Sequence, residues 1–102
     1  REVQVEAVLD EVILRAGALE LELSPSVGGG IRNFTWIDGE LRQPILRRCH
    51  SAQPNVLDLA SVPLVPYVNR IRDGAFTFRG RSLQLQPNMA GDISPLHGQG
   101  WL

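Results

Sequence analysis

Asn69, Arg70 and His97 are the residues of this chain whose types and settings best suit gripping a polar ligand. Asn69 and Arg70 stand within Pro66-Tyr67-Val68-Asn69-Arg70-Ile71. Together they offer amide and guanidinium donors plus one amide acceptor, a set able to hold neighbouring hydroxyls of a polyol. Val68 and Ile71 flank them, so one backbone could bury apolar side chains while aiming the polar pair into a cleft. Type and spacing alone still favour a turn-capping asparagine and a surface arginine. His97 lies in "SPLHGQGWL", between Pro95 and Gly98. An imidazole there can donate to a ligand oxygen or exchange a proton, although a lone loop histidine is more often a turn or surface residue.

Other chemistry is poorly anchored. His50 follows Cys49, but adjacent residues of an extended chain point to opposite faces, which rejects a Cys-His dyad. One cysteine, two widely separated histidines and scattered carboxylates give no metal-ligand spacing, so neither a metal nor a cofactor is expected. Glu20, Glu22 and Glu40 fall on strand faces expected to be wet. Asp58, Asp73 and Asp92 lie in loops, where turn formation is the expected role.

The elements that must position these residues are short strands. Residues 12–16 and 18–23 form a hairpin around Gly17, with Leu19, Leu21 and Leu23 alternating with Glu20 and Glu22. The glycines 28–30 suggest a bulge or close backbone approach before a strand "IRNFTWI". A phosphate loop is not supported there, because no Lys-Ser/Thr follows. Asp38-Gly39 signals a hairpin into "ELRQPIL". Residues 49–63 read as an irregular crossing segment, and the prolines in "PLVPYVNRIRDG" exclude a regular helix or central strand at its start. "GAFTFRGRSLQLQPN" reads as a hairpin turned at "RGR", followed by loop. No amphipathic helix, repeat or low-complexity tract is present. These features predict an all-β, antiparallel sheet or sandwich.

A chain of 102 residues is expected to form a single domain, residues 1–102, with a modest core. A net charge of -1 and 21% charged residues imply no nucleic-acid partner, and no apolar run approaches a membrane span. The single cysteine and the absence of a signal pattern make cytoplasmic localisation the default expectation.

Three ordered stretches closely resemble the aldose 1-epimerases, or galactose mutarotases: "PSVGGGIRNFTW", "PLVPYVNRIRDGAFTFRGRSLQLQPN" and "PLHGQGW". The likeness runs from about residue 19 to the end of the chain. Asn-Arg-Ile, a Gly-x-Phe hairpin, an asparagine and Leu-His-Gly recur in order. The resemblance implies the amino-terminal part of a galactose mutarotase-like supersandwich, an incomplete antiparallel β-sandwich binding a hexose in an open cleft. It implies interconversion of α and β anomers in the full-length form: a glutamate takes the C1 hydroxyl proton, a histidine protonates the ring oxygen, and the opened ring recloses on its other face. No cofactor is implied.

Carried over by motif, Arg70 and His97 contact sugar oxygens with Asn69 beside them. The family's acid histidine and base glutamate are expected beyond Leu102, so the isolated chain is expected to be inactive. Alternatives are a non-catalytic sugar-binding or regulatory relative and a phosphosugar epimerase. Incomplete sheets leave unpaired edges, so a homo-oligomer through exposed strand edges is expected, and Trp101-Leu102 reads as the start of a further strand.

Overall fold

The computed structural model describes residues 2–8 and 10–102. The chain divides into two compact units, residues up to Pro63 together with Leu102, and Leu64–Trp101.

The first unit is an antiparallel meander of β1 (Gln4–Val8), β2 (Glu11–Ala16), β3 (Leu19–Ser24), β4 (Gly30–Asp38) and β5 (Leu41–Pro44), paired in that order. The turn at Gly17-Ala18 falls where the sequence signals it, and the next turn, Gly39-Glu40, falls one residue beyond the Asp38-Gly39 signal because Asp38 still pairs with Leu41. β1 is an additional strand, absent from the sequence-based reading. Its alternation of Val5 and Ala7 with Gln4 and Glu6 is a short period-two pattern that becomes a strand by pairing along β2. A register shift between Glu22 and Leu23 marks a bulge against the start of β4. A Cβ on Gly30 would lie 2.5 Å from Leu59 Cδ1 and 2.8 Å from Val62 Cγ1, so this glycine permits the close approach of residues 59–62.

β4 is paired twice over on its outer side. Its later half, Thr35–Asp38, pairs with β5. Its earlier half receives the crossing segment instead: Ile45 N–H donates to Phe34 O (2.8 Å), Cys49 N–H to Arg32 O (3.2 Å), and Ile31 N–H to Ser61 O (2.7 Å). The segment is irregular in conformation, yet it satisfies strand groups that would otherwise form an open edge.

Register assigns the side chains to two faces. Leu14, Leu21 and Phe34 form one row and Ala16, Leu19 and Trp36 the next. This apolar face is open, with Leu19 42% and Trp36 39% exposed. The opposite face carries Arg15, Glu20 and Thr35 in one row. The expectation that this glutamate face is wet is corrected here: Glu20 is only 5% exposed. Arg15 and Arg42 lay their aliphatic stems over the face while both guanidiniums bond the Glu20 carboxylate, and Arg15 also reaches Glu6 at 2.8 Å. Burial pushes the Glu20 pKa up, but the hydrogen bonds from Arg42 and Arg15 outweigh it, and the carboxyl rests below its ordinary value. Asn33 Nδ2 similarly holds half-buried Glu22 at 2.5 Å.

The second unit contains one hairpin, β6 (Ala75–Phe78) with β7 (Arg81–Gln84). Arg79 and Gly80 both take positive φ, the geometry of a type I′ turn. The Arg79 guanidinium lies 5.3 Å from the Phe78 ring centroid. A two-stranded ribbon is marginal by itself, and here it is tied to the loop before it by Leu85 N–H donating to Gly74 O at 2.8 Å. No helix among the described residues is long and apolar enough to cross a membrane.

Candidate functional site

Residues 69–71 and 95–97 meet as an irregular antiparallel pair bridged at Arg70 and Leu96. Asn69 N–H donates to His97 Nδ1 at 2.8 Å, and His97 N–H returns a bond to Asn69 O at 2.9 Å. Ile71 N–H reaches Pro95 O at 3.4 Å. The structure therefore brings together Asn69, Arg70 and His97, the three residues singled out from sequence. Asn69 (φ 74) and His97 (φ 59) both occupy the left-handed region. Such backbone costs roughly 1–2 kcal/mol for a non-glycine residue, least for asparagine, and persists only where surrounding bonds enforce it.

The reciprocal bond fixes what His97 can do. With Nδ1 accepting from Asn69, the proton of the neutral ring sits on Nε2, which is left as a donor. Asn69 Oδ1 accepts from Arg70 N–H at 2.9 Å. The amide acceptor expected for a ligand is thus engaged within the loop, leaving the Asn69 NH2 as its outward group. Arg70 is held through Nε, 2.5 Å from Asp92 Oδ2, while Asp92 Oδ1 accepts from Ser94 N–H at 2.9 Å. Both Nη groups of Arg70 remain without a hydrogen-bond partner among the described residues. The Arg70 hydrogen bond, aided by Ser94, holds the Asp92 carboxyl below its ordinary pKa. Asp92 forms a turn, as expected, and also orients Arg70.

Two further residues position the His97 loop. Asn88 donates from Nδ2 to Leu96 O (2.8 Å) and Gly98 O (2.5 Å) and accepts Leu96 N–H at Oδ1 (2.8 Å). Trp101 donates its indole N–H to Leu96 O (2.9 Å) and Gly98 O (3.0 Å), and its ring meets the His97 ring edge-on, centroids 5.1 Å apart at 82°. Trp101 is buried within a turn, where its indole clamps this loop. At Gly98 (φ +80) a Cβ would collide with Pro66 Cδ. Asn88 carried a sequence signal only as a member of the ordered family motif, and Trp101 carried none for this role.

Exposed Asn69 and Arg70 and half-buried His97 do not line the cavity of about 590 Å³ formed by Pro66, Tyr67, Ile71, Phe76 and Leu85. That space is largely apolar. In the first unit Cys49 is buried and His50 exposed, consistent with rejecting a dyad. Among the described residues no cluster of three or more His, Cys, Asp or Glu side chains could hold a metal.

The family model described as Aldose 1-epimerase matches residues 11–102. The chain is 40% identical over 89 residues to the uncharacterized protein YphB of Escherichia coli (strain K12), covering 87% of this chain and 29% of that protein. It also resembles a crystal structure from Escherichia coli K12, described as a candidate aldose 1-epimerase, with a TM-score of 0.71 and 36% identity. That likeness covers 99% of this chain and 31% of the solved one. The chain thus spans about three tenths of the length of these relatives.

Proposed function

Because the chain belongs to the aldose 1-epimerase family, we propose that Asn69, Arg70 and His97 form one wall of a hexose-binding cleft, in a protein whose whole form interconverts α and β anomers. The observation that carries this reading is the reciprocal bond between Asn69 and His97. It leaves three donor groups on one irregular strap without a hydrogen-bond partner among the described residues: the Asn69 NH2, the Arg70 Nη groups and His97 Nε2–H. Hydroxyls and the ring oxygen of a sugar accept from such groups. A donor already oriented by protein bonds loses little freedom when it binds.

In anomer exchange these residues place the ring and polarise its oxygens. The proton transfers need an acid and a base, and Leu64–Trp101 contains one histidine and no glutamate. General acid–base assistance supplies about 10²–10⁴-fold in rate, so the isolated 102-residue chain is expected to accelerate glucose or galactose mutarotation little if at all in a polarimeter. Strong catalysis by the chain alone would remove this assignment of roles. Binding is tested separately by saturation-transfer NMR with a panel of hexoses, where transfer is expected for the parent chain and lost in Arg70→Ala.

A further inference from the structure

The pocket beside the crossing segment of the first unit concentrates positive charge, with two arginines against one carboxylate. Arg47, Arg48, His50 and Ser51 line an open space of about 470 Å³, with Asp58 as its acid. None of the ion pairs among the described residues uses Arg47 or Arg48. Successive arginines of a regular strand would point to opposite faces, but residues 47–50 are irregular and both arginines line the same pocket.

The donors there are partly fixed and largely unspent. Arg47 Nη2 donates to Leu59 O at 2.8 Å and Leu57 O at 3.3 Å. These carbonyls anchor the guanidinium without cancelling its charge, leaving its Nε and Nη1 free to donate. Ser51 Oγ accepts from Gln53 N–H at 3.3 Å, so its own proton is available. Asp58 already accepts Asn55 N–H at 3.0 Å in a capping box around the turn Val56–Asp58. Pro44 and Leu46 add an apolar wall.

We propose that this pocket binds a phosphate group, with Arg47 and Arg48 as its charged partners and Ser51 and His50 as further donors. Guanidinium geometry suits the paired oxygens of phosphate, and two arginines facing one carboxylate leave a net attraction for a dianion. The apolar wall would take the carbon skeleton of a phosphate ester. None of Asn69, Arg70 and His97 lines this pocket, and the proposal does not depend on the sugar reading.

The test is a ¹H–¹⁵N NMR titration of the chain with inorganic phosphate, a hexose phosphate and the unphosphorylated hexose, at constant ionic strength. Saturable shifts at the amides of residues 46–51 are expected with both phosphates, and none at these amides with the free hexose. Tighter binding of the ester identifies an esterified ligand, and equal affinities identify free phosphate; both support the site. Arg48→Ala breaks no internal bond and should weaken binding about tenfold, whereas Arg79→Ala should leave it unchanged. Absence of saturable shifts with either phosphate, or equal weakening by Arg79→Ala, would overturn the proposal.

Discussion

The His97 loop works through bonds that oppose its own backbone preference. Asn88 supplies three hydrogen bonds to Leu96 and Gly98, and Trp101 supplies two more to the same carbonyls. Asn88→Ala leaves the Leu96 N–H without a side-chain partner and the two carbonyls with Trp101 alone, and is expected to destabilise the chain by about 1–3 kcal/mol in urea unfolding. It should also broaden the His97 ring resonances as the left-handed conformation is released. Gly98→Ala should destabilise comparably or more, because a methyl would meet Pro66 in a backbone region unfavourable to L-residues. At the neighbouring pair, Asp92→Asn removes the charge that orients Arg70. Hexose affinity is expected to fall severalfold with the fold intact, and an unchanged affinity would show that Arg70 needs no such orientation.

At the scale of the strand, the glutamate face of the first sheet is a charge network on an otherwise apolar scaffold. Glu20 on β3 is bonded by Arg15 of β2 and Arg42 of β5, so one carboxylate ties together strands that are not all adjacent. Its folded pKa is depressed. The stability it contributes is therefore present above the unfolded carboxylate value, near about 4.3, and is lost as pH falls through the lower folded value. Urea midpoints should decline through that acidic window. Glu20→Gln should lower the midpoint at neutral pH and flatten the acid-side decline, while an unaltered pH profile in the variant would locate the dependence elsewhere. The alternation "LELEL" reveals the strand and its two faces. It does not reveal which face is buried, since that depends on arginines brought from β2 and β5.

On the scale of the whole molecule, the family's antiparallel β-sandwich is represented here over 31% of the solved relative's length. The open row of Leu19 and Trp36 and the outer edge of β1, where Val5 is 66% exposed, are surfaces that sheet proteins normally cover. The isolated chain is expected to self-associate by sheet extension, with light-scattering mass rising with concentration. Val5→Lys should reduce that rise, because an edge lysine resists strand addition. A stable monomer at high concentration would count against association. The sequence by itself determined the strand pattern from β2 onward, the hairpin turns to within a residue, the close approach at Gly30 and the family motifs containing Asn69, Arg70 and His97. Those are local: they follow from side-chain period, turn chemistry and motif order. Only the tertiary structure decided that Asn69 and His97 lock each other across 28 residues, that Asp92 orients Arg70, that Trp101 clamps a loop, and that Glu20 is buried. Each of these depends on groups distant in sequence meeting at hydrogen-bonding distance, and neither period nor composition encodes such a meeting.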